Sequence, residues 1–124
     1  MSTGKNAVPA GGRPTPARGR RWGLARVHGD SMRPTLRPGD RLLVDHHRGP
    51  REGDVVVARL ADGTVAVKRA AERRTTAAGD PGWWLLSDDP AVGVDSRHRG
   101  PVREGDVLAV VRWRLWPPPL RHRL

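Results

Sequence analysis

The chain has 124 residues, with 23 lysines and arginines against 13 acidic groups, a formal net charge of +10, and no cysteine. That length holds one domain with a modest core, and the missing thiols exclude disulfides, thiolate metal sites and a cysteine nucleophile. The basic residues run along the whole chain and do not interleave with the five tryptophans as a stacking platform would, so the charge reads as solvated surface and not as a nucleic-acid site.

Residues 1–21 are rich in Gly, Pro and Arg and lack apolar periodicity. They are expected to form a flexible tail, and they lack the apolar stretch of a secretory signal. Residues 22–116 carry short β-branched or Leu-rich runs punctuated by Gly-Asp and Pro, the pattern of a single all-β catalytic domain. The expected strands are Trp22 to Val27, Arg41 to Asp45, Asp54 to Ala61, Thr64 to Ala71, Trp83 to Leu86 and Asp106 to Leu115.

One phrase precedes three of these runs: Arg37-Pro38-Gly39-Asp40, Arg51-Glu52-Gly53-Asp54 and Arg103-Glu104-Gly105-Asp106. Each copy reads as a turn whose glycine tolerates positive φ. Asp62-Gly63 predicts a two-residue type I′ hairpin, which would pair Val57 with Lys68 and set Thr64, Ala66 and Lys68 on one face. Residues 117–124, with three prolines and a basic end, are expected to form a tail outside the sheet. No apolar run approaches the ~18 residues that span a bilayer, so no membrane anchor is expected and the cytoplasm is the expected location.

Three segments carry candidate chemistry. Ser31 sits in His28-Gly29-Asp30-Ser31-Met32-Arg33-Pro34-Thr35-Leu36, a glycine-flanked turn in which its own amide is placed to donate to a developing oxyanion. Lys68 lies in a strand, and the only other lysine is Lys5. Lysine, unlike arginine, is neutralised by desolvation at ordinary pH, so it can accept a serine proton as general base. The third segment, Ser87 to Gly100, offers an Asp95–Arg97 ion pair as a brace, and Ser96 or an upstream hydroxyl to orient the lysine amine. The spacing of Asp88, Asp89 and Asp95 does not match an EF-hand, and the histidines show no His-Glu-x-x-His pattern, so neither a metal nor a cofactor is expected. Among the histidines, His28 alone is a candidate for an accessory role.

These segments, in order, resemble the successive boxes of the type I signal peptidases: Gly29 to Leu36, Gly53 to Val57, Val67-Lys68-Arg69, and Asp88 to Gly100 with Asp95-Ser96-Arg97. The resemblance implies a β-rich fold like that of signal peptidases and SOS repressors, and cleavage after a small residue of an extended substrate added as a strand. It also implies Ser31 as nucleophile with Lys68 as base, backbone of Ser31, Asp30 and Gly29 as the oxyanion hole, Met32 packed beneath, and Asp95, Ser96 and Arg97 as support. The family serine two residues before Asp95 is here Gly93.

Without an anchor, the chain is most similar among these to the proteases that mature nickel-type superoxide dismutase, and the expected partner is that precursor, cut near small residues. Two alternatives stand beside it. One is a general signal peptidase held peripherally at the membrane by its basic tail or by Trp113 and Trp116. The other is a self-cleaving domain like that of SOS repressors, which share the Ser/Lys dyad and a Gly-Asp-Ser-Met turn. Ala10-Gly11 is then the internal cut site, although no helix-turn-helix precedes it in this sequence.

Overall fold

The computed structural model describes residues 19–120 and 124. Seven strands form one antiparallel sheet: β1 (Trp22–Arg26), β2 (Arg41–Asp45), β3 (Val55–Arg59), β4 (Val65–Thr75), β5 (Pro81–Leu86), β6 (Val102–Arg103) and β7 (Val107–Trp116). Their spatial order is β1-β2-β7-β3-β4-β5-β6. The all-β expectation holds. Among the described residues helix is confined to one turn, α1 (Ser96–Arg99), and a 3-10 turn at Glu104–Asp106.

The interior of the sheet is apolar on both faces, which is why β3 reads as an unbroken Val55-Val56-Val57-Ala58 run and not as an alternation. Val55 and Val57 join Leu42, Val44, Ala109 and Val111 in one cluster; Val56 and Ala58 join Ala70, Trp83, Leu85 and Val110 in the other. Leu124 also packs against the first cluster. The tail expected over residues 1–21 lies outside the described residues up to residue 18, as do residues 121–123 of the expected C-terminal tail. Arg21, at the inner end of the first tail, pairs with the buried Asp45 at 3.0 Å.

Two copies of the recurring phrase make the same turn. Gly39 and Gly53 take φ of +92 and +95, while Asp40 and Asp54 each accept the N–H of the arginine three residues earlier, at 2.9 and 2.8 Å. The third copy differs, because residues 104–106 wind into the 3-10 turn before β7.

The β3–β4 register also differs from expectation by one residue. Arg59 pairs with Val65, Val57 with Val67, and Val56 with Lys68. The turn closes with the Gly63 N–H on the Leu60 carbonyl at 2.8 Å and the Leu60 N–H on the Thr64 carbonyl at 2.8 Å, with Gly63 at φ +89. This is a three-residue loop ending in a left-handed glycine, and not the two-residue type I′ turn. Alternation along β4 still sets Lys68 on the side of Ala66 and Ala70.

Candidate active site

The turn that carries Ser31 joins β1 to β2. Gly29 enters it at φ +77, where a side chain would cost about 1–2 kcal/mol. The Arg33 N–H donates to the Asp30 carbonyl at 3.1 Å and the Leu36 N–H to the Met32 carbonyl at 2.9 Å. Met32 and Leu36 are buried in the first core cluster, and each such burial stabilises the turn by about 1.5–3 kcal/mol. Ser31 is thereby pinned half-buried at the surface of a packed turn. Among the described residues its backbone N–H has no hydrogen-bond acceptor, which leaves that donor free for an incoming carbonyl oxygen.

Lys68 approaches from the middle of β4. On one side stands its pairing partner Val56; on the other, the β4–β5 register pairs Arg69 with Leu86 and, carried one residue further, brings Ser87 opposite Lys68. The residue is only 3% exposed. Its amine donates to the Ser87 hydroxyl at 2.9 Å and reaches the Ser31 hydroxyl at 3.3 Å. Desolvation lowers the amine's pKa below its ordinary 10.5, Asp95 pulls it back up in part, and Arg97 lowers it further.

Behind the amine lies a second layer. The Ser87 N–H donates to Asp95 at 2.9 Å. Asp95 is fully buried, caps α1 by accepting the Arg97 N–H at 3.0 Å, and takes a two-pronged bond from the Arg97 guanidinium at 3.0 and 2.8 Å. Burial by itself raises the Asp95 pKa, but the Arg97 side chain and the two N–H donors outweigh it and hold the carboxyl well below the usual range.

The Asp95–Arg97 ion pair is present at 2.8 Å, and of the two hydroxyls offered to the amine the upstream one, that of Ser87, reaches it, whereas Ser96 is placed elsewhere. Its buried hydroxyl accepts the Leu85 N–H at 2.9 Å, so it serves the end of β5 and not the amine. Gly93, where the resemblance expects a hydroxyl, faces the dyad bare. A Cβ there would lie 3.0 Å from the Ser31 Cβ and 3.3 Å from the Lys68 amine, on a backbone at φ +81. His28 is exposed and makes no hydrogen bond to either group.

Four residues that hold the site together had been given no role of their own by number. Ser87 is the first. The others form a clamp: Asp88 accepts the Thr35 hydroxyl at 2.6 Å and both arms of Arg69 at 3.1 and 2.6 Å. The adjacent Asp89 N–H donates to the Ser31 carbonyl at 2.8 Å. Thr35 and Arg69 stand inside the same short motifs as Ser31 and Lys68, which was the available signal. Asp88, for its part, is committed to these partners.

Comparison with known proteins follows the same residues. The Peptidase S24-like family matches residues 8–112. LexA repressor 1 of Pseudomonas syringae pv. tomato and LexA repressor 1 of Pseudomonas putida are each 37% identical over 93 residues, covering 72% of this chain and 43% of the relative. The chain thus spans less than half the length of these curated relatives.

These relatives overturn the expectation of leader removal from a nickel superoxide dismutase precursor, and with it that precursor as partner. The physical reason is that the boxes behind it, the serine turn and the lysine strand, bring a serine hydroxyl to a lysine amine, an arrangement the resemblance implies for signal peptidases and SOS repressors alike, so their presence does not choose between the two. The absence of an apolar run does not choose either. Among the described residues no helix is long and apolar enough to cross a membrane, which is equally true of many unrelated domains. The chain belongs to the Peptidase S24-like family.

Proposed function

We propose that this chain is a Ser/Lys peptidase domain that cuts a peptide bond in its own polypeptide, with Ser31 as nucleophile and Lys68 as general base. The observation that carries this reading is the dehydrated Lys68 amine between the Ser87 hydroxyl at 2.9 Å and the Ser31 hydroxyl at 3.3 Å. The neutral amine takes the Ser31 proton as the serine oxygen bonds to the scissile carbonyl carbon. The oxyanion that forms is met by the Ser31 N–H, with Gly29 and Asp30 shaping the approach. The lysine then gives its proton to the leaving amine as the C–N bond breaks, and it activates the water that hydrolyses the acyl-enzyme.

Met32 supports Ser31 from beneath, while Asp95 and Arg97 act through Ser87 on the lysine. We assign the catalytic unit to residues 22–116 and the cut segment to residues 1–21. The relatives named LexA repressor favour the self-cleaving reading over the other two, and the family match beginning at residue 8 takes in Ala10-Gly11. This activity calls for no membrane, and on that account we place the protein in the cytoplasm.

Incubation of the purified chain at alkaline pH, followed by mass spectrometry, tests the proposal. Fragments separating at Ala10-Gly11 are expected from the wild type and not from Ser31→Ala. An intact wild-type chain, or equal fragmentation of the variant, rejects self-cleavage. A separate peptide spanning Ala10-Gly11, added to the chain, reports the dyad's chemistry independently of how the segment is presented.

A further inference from the structure

A cleft of about 170 Å³ opens between the β3–β4 turn and the segment that follows β5. Arg59, Arg99 and Arg103 line it, together with the apolar side chains of Leu60, Val94 and Val102. Arg59 on β3 and Arg99 and Arg103, four residues apart beyond β5, give this lining three positive charges, and the acidic groups beside them answer only part of that charge. Asp95 is already taken by Arg97. Asp106 lies 3.8 Å from Arg103 and answers one charge. Asp62, which senses Arg99 electrostatically, is held by the Thr64 N–H at 2.9 Å and not by a guanidinium. Arg59 makes no ion pair or hydrogen bond through its side chain among the described residues.

A surface this basic has many unpaired arginines, and most are solvated charges of little consequence. Concavity separates this group from the rest. A concave lining that mixes arginines with the apolar side chains of Leu60, Val94 and Val102 limits water around an anion and strengthens the field on it. The planar fork of each arginine matches the oxygen pairs of a phosphate or carboxylate group. The volume lies below the 300–1,000 Å³ of pockets for drug-sized ligands, which suits an ion of a few heavy atoms.

We infer that this cleft is a binding site for a small multivalent oxyanion, a phosphate group or a polycarboxylate, separate from the peptidase dyad. It stands or falls independently of the peptidase reading, although the cleft shares Asp95 and Ser96 with the layer behind Ser87.

The experiment uses the full chain carrying Ser31→Ala, so that self-cleavage does not intrude. Inorganic phosphate and citrate are titrated separately at constant ionic strength, with amide chemical shifts as the readout. Saturable shifts at Leu60, Val94 and Val102 are expected with one of the two probes, and the probe that saturates tells phosphate from carboxylate recognition. Adding Arg59→Gln with Arg99→Gln is expected to weaken that binding at least about tenfold, the loss of two charge-assisted contacts. The charge-matched pair Arg26→Gln with Arg41→Gln, exposed on β1 and β2, is expected to leave it unchanged. No saturable shift with either probe, or equal weakening by both pairs of substitutions, would overturn the site as diffuse attraction to a basic surface. Should the first pair disturb folding, the localisation of the shifts in the Ser31→Ala chain decides alone.

Discussion

The Ser87 hydroxyl accepts from the Lys68 amine at 2.9 Å, closer than the Ser31 hydroxyl at 3.3 Å, so the base of the proposed dyad is held by a group that it does not deprotonate. A long, flexible lysine side chain loses rotamer freedom when fixed in this way. Ser87→Ala should therefore slow self-cleavage by about 10–100-fold through misplacement of the amine, and Ser87→Thr should recover part of the rate. Measuring both rates beside the thermal midpoint separates positioning from folding. A variant that folds like wild type and cleaves at the wild-type rate would remove Ser87 from the mechanism.

The lowered pKa of Lys68 sets the direction of the pH response. Cleavage should rise with pH as the amine loses its proton, with a midpoint below lysine's ordinary 10.5. Lys68→Arg should abolish it although the charge is kept, because guanidinium does not deprotonate in this range. The same shift has a stability consequence. The unfolded chain binds more protons than the folded one between the lowered folded-state pKa and 10.5, so this group makes stability rise with pH across that window. Denaturation of the Ser31→Ala chain at several alkaline pH values, compared with Ser31→Ala plus Lys68→Met, isolates that slope.

Asp95 gives the opposite edge of the pH range. Its carboxyl is depressed in the folded state, so its contribution is complete above the unfolded value near 3.8 and is lost as pH falls through the folded-state value. Asp95→Asn at neutral pH should cost about 2–4 kcal/mol, since it weakens the α1 cap and the acceptor of the buried Ser87 N–H together. Urea denaturation should show the gap between the two proteins narrowing once the pH drops below about 4.

Gly93 is required by both its backbone and its neighbours. Gly93→Ala puts a methyl group 3.0 Å from the Ser31 Cβ on a backbone at φ +81, which should cost about 1–2 kcal/mol and displace Ser31. A loss of cleavage larger than the loss of stability is the expected result, read from rates and denaturation midpoints of the same preparation.

Much of this arrangement was legible in the sequence, for identifiable reasons. The Val55-to-Ala58 run, the Gly39 and Gly53 turns and the Arg41 to Asp45 strand are local patterns, and local patterns survive into the fold. The β3–β4 register did not, because Asp62-Gly63 fits either a two-residue turn or the tail of a three-residue loop, and packing of Val57 against the first cluster decides. Ser31 and Lys68 could be named from residue chemistry. Ser87 could not be told from Ser96 without the β4–β5 pairing, because which hydroxyl faces the amine depends on a register interrupted by the bulge between Ala70 and Glu72. The substrate was beyond the motifs altogether, since a dyad's geometry does not encode whose peptide bond reaches it.

The chain's two lysines, Lys5 and Lys68, make the central claim directly measurable. Carbon-13 labelling of lysine gives two side-chain signals, and Lys5→Arg leaves only that of Lys68. The account predicts that this signal titrates below 10.5 in the folded Ser31→Ala protein and returns to the ordinary value on denaturation. Titration of Lys68 at or above 10.5 in the folded protein would contradict it.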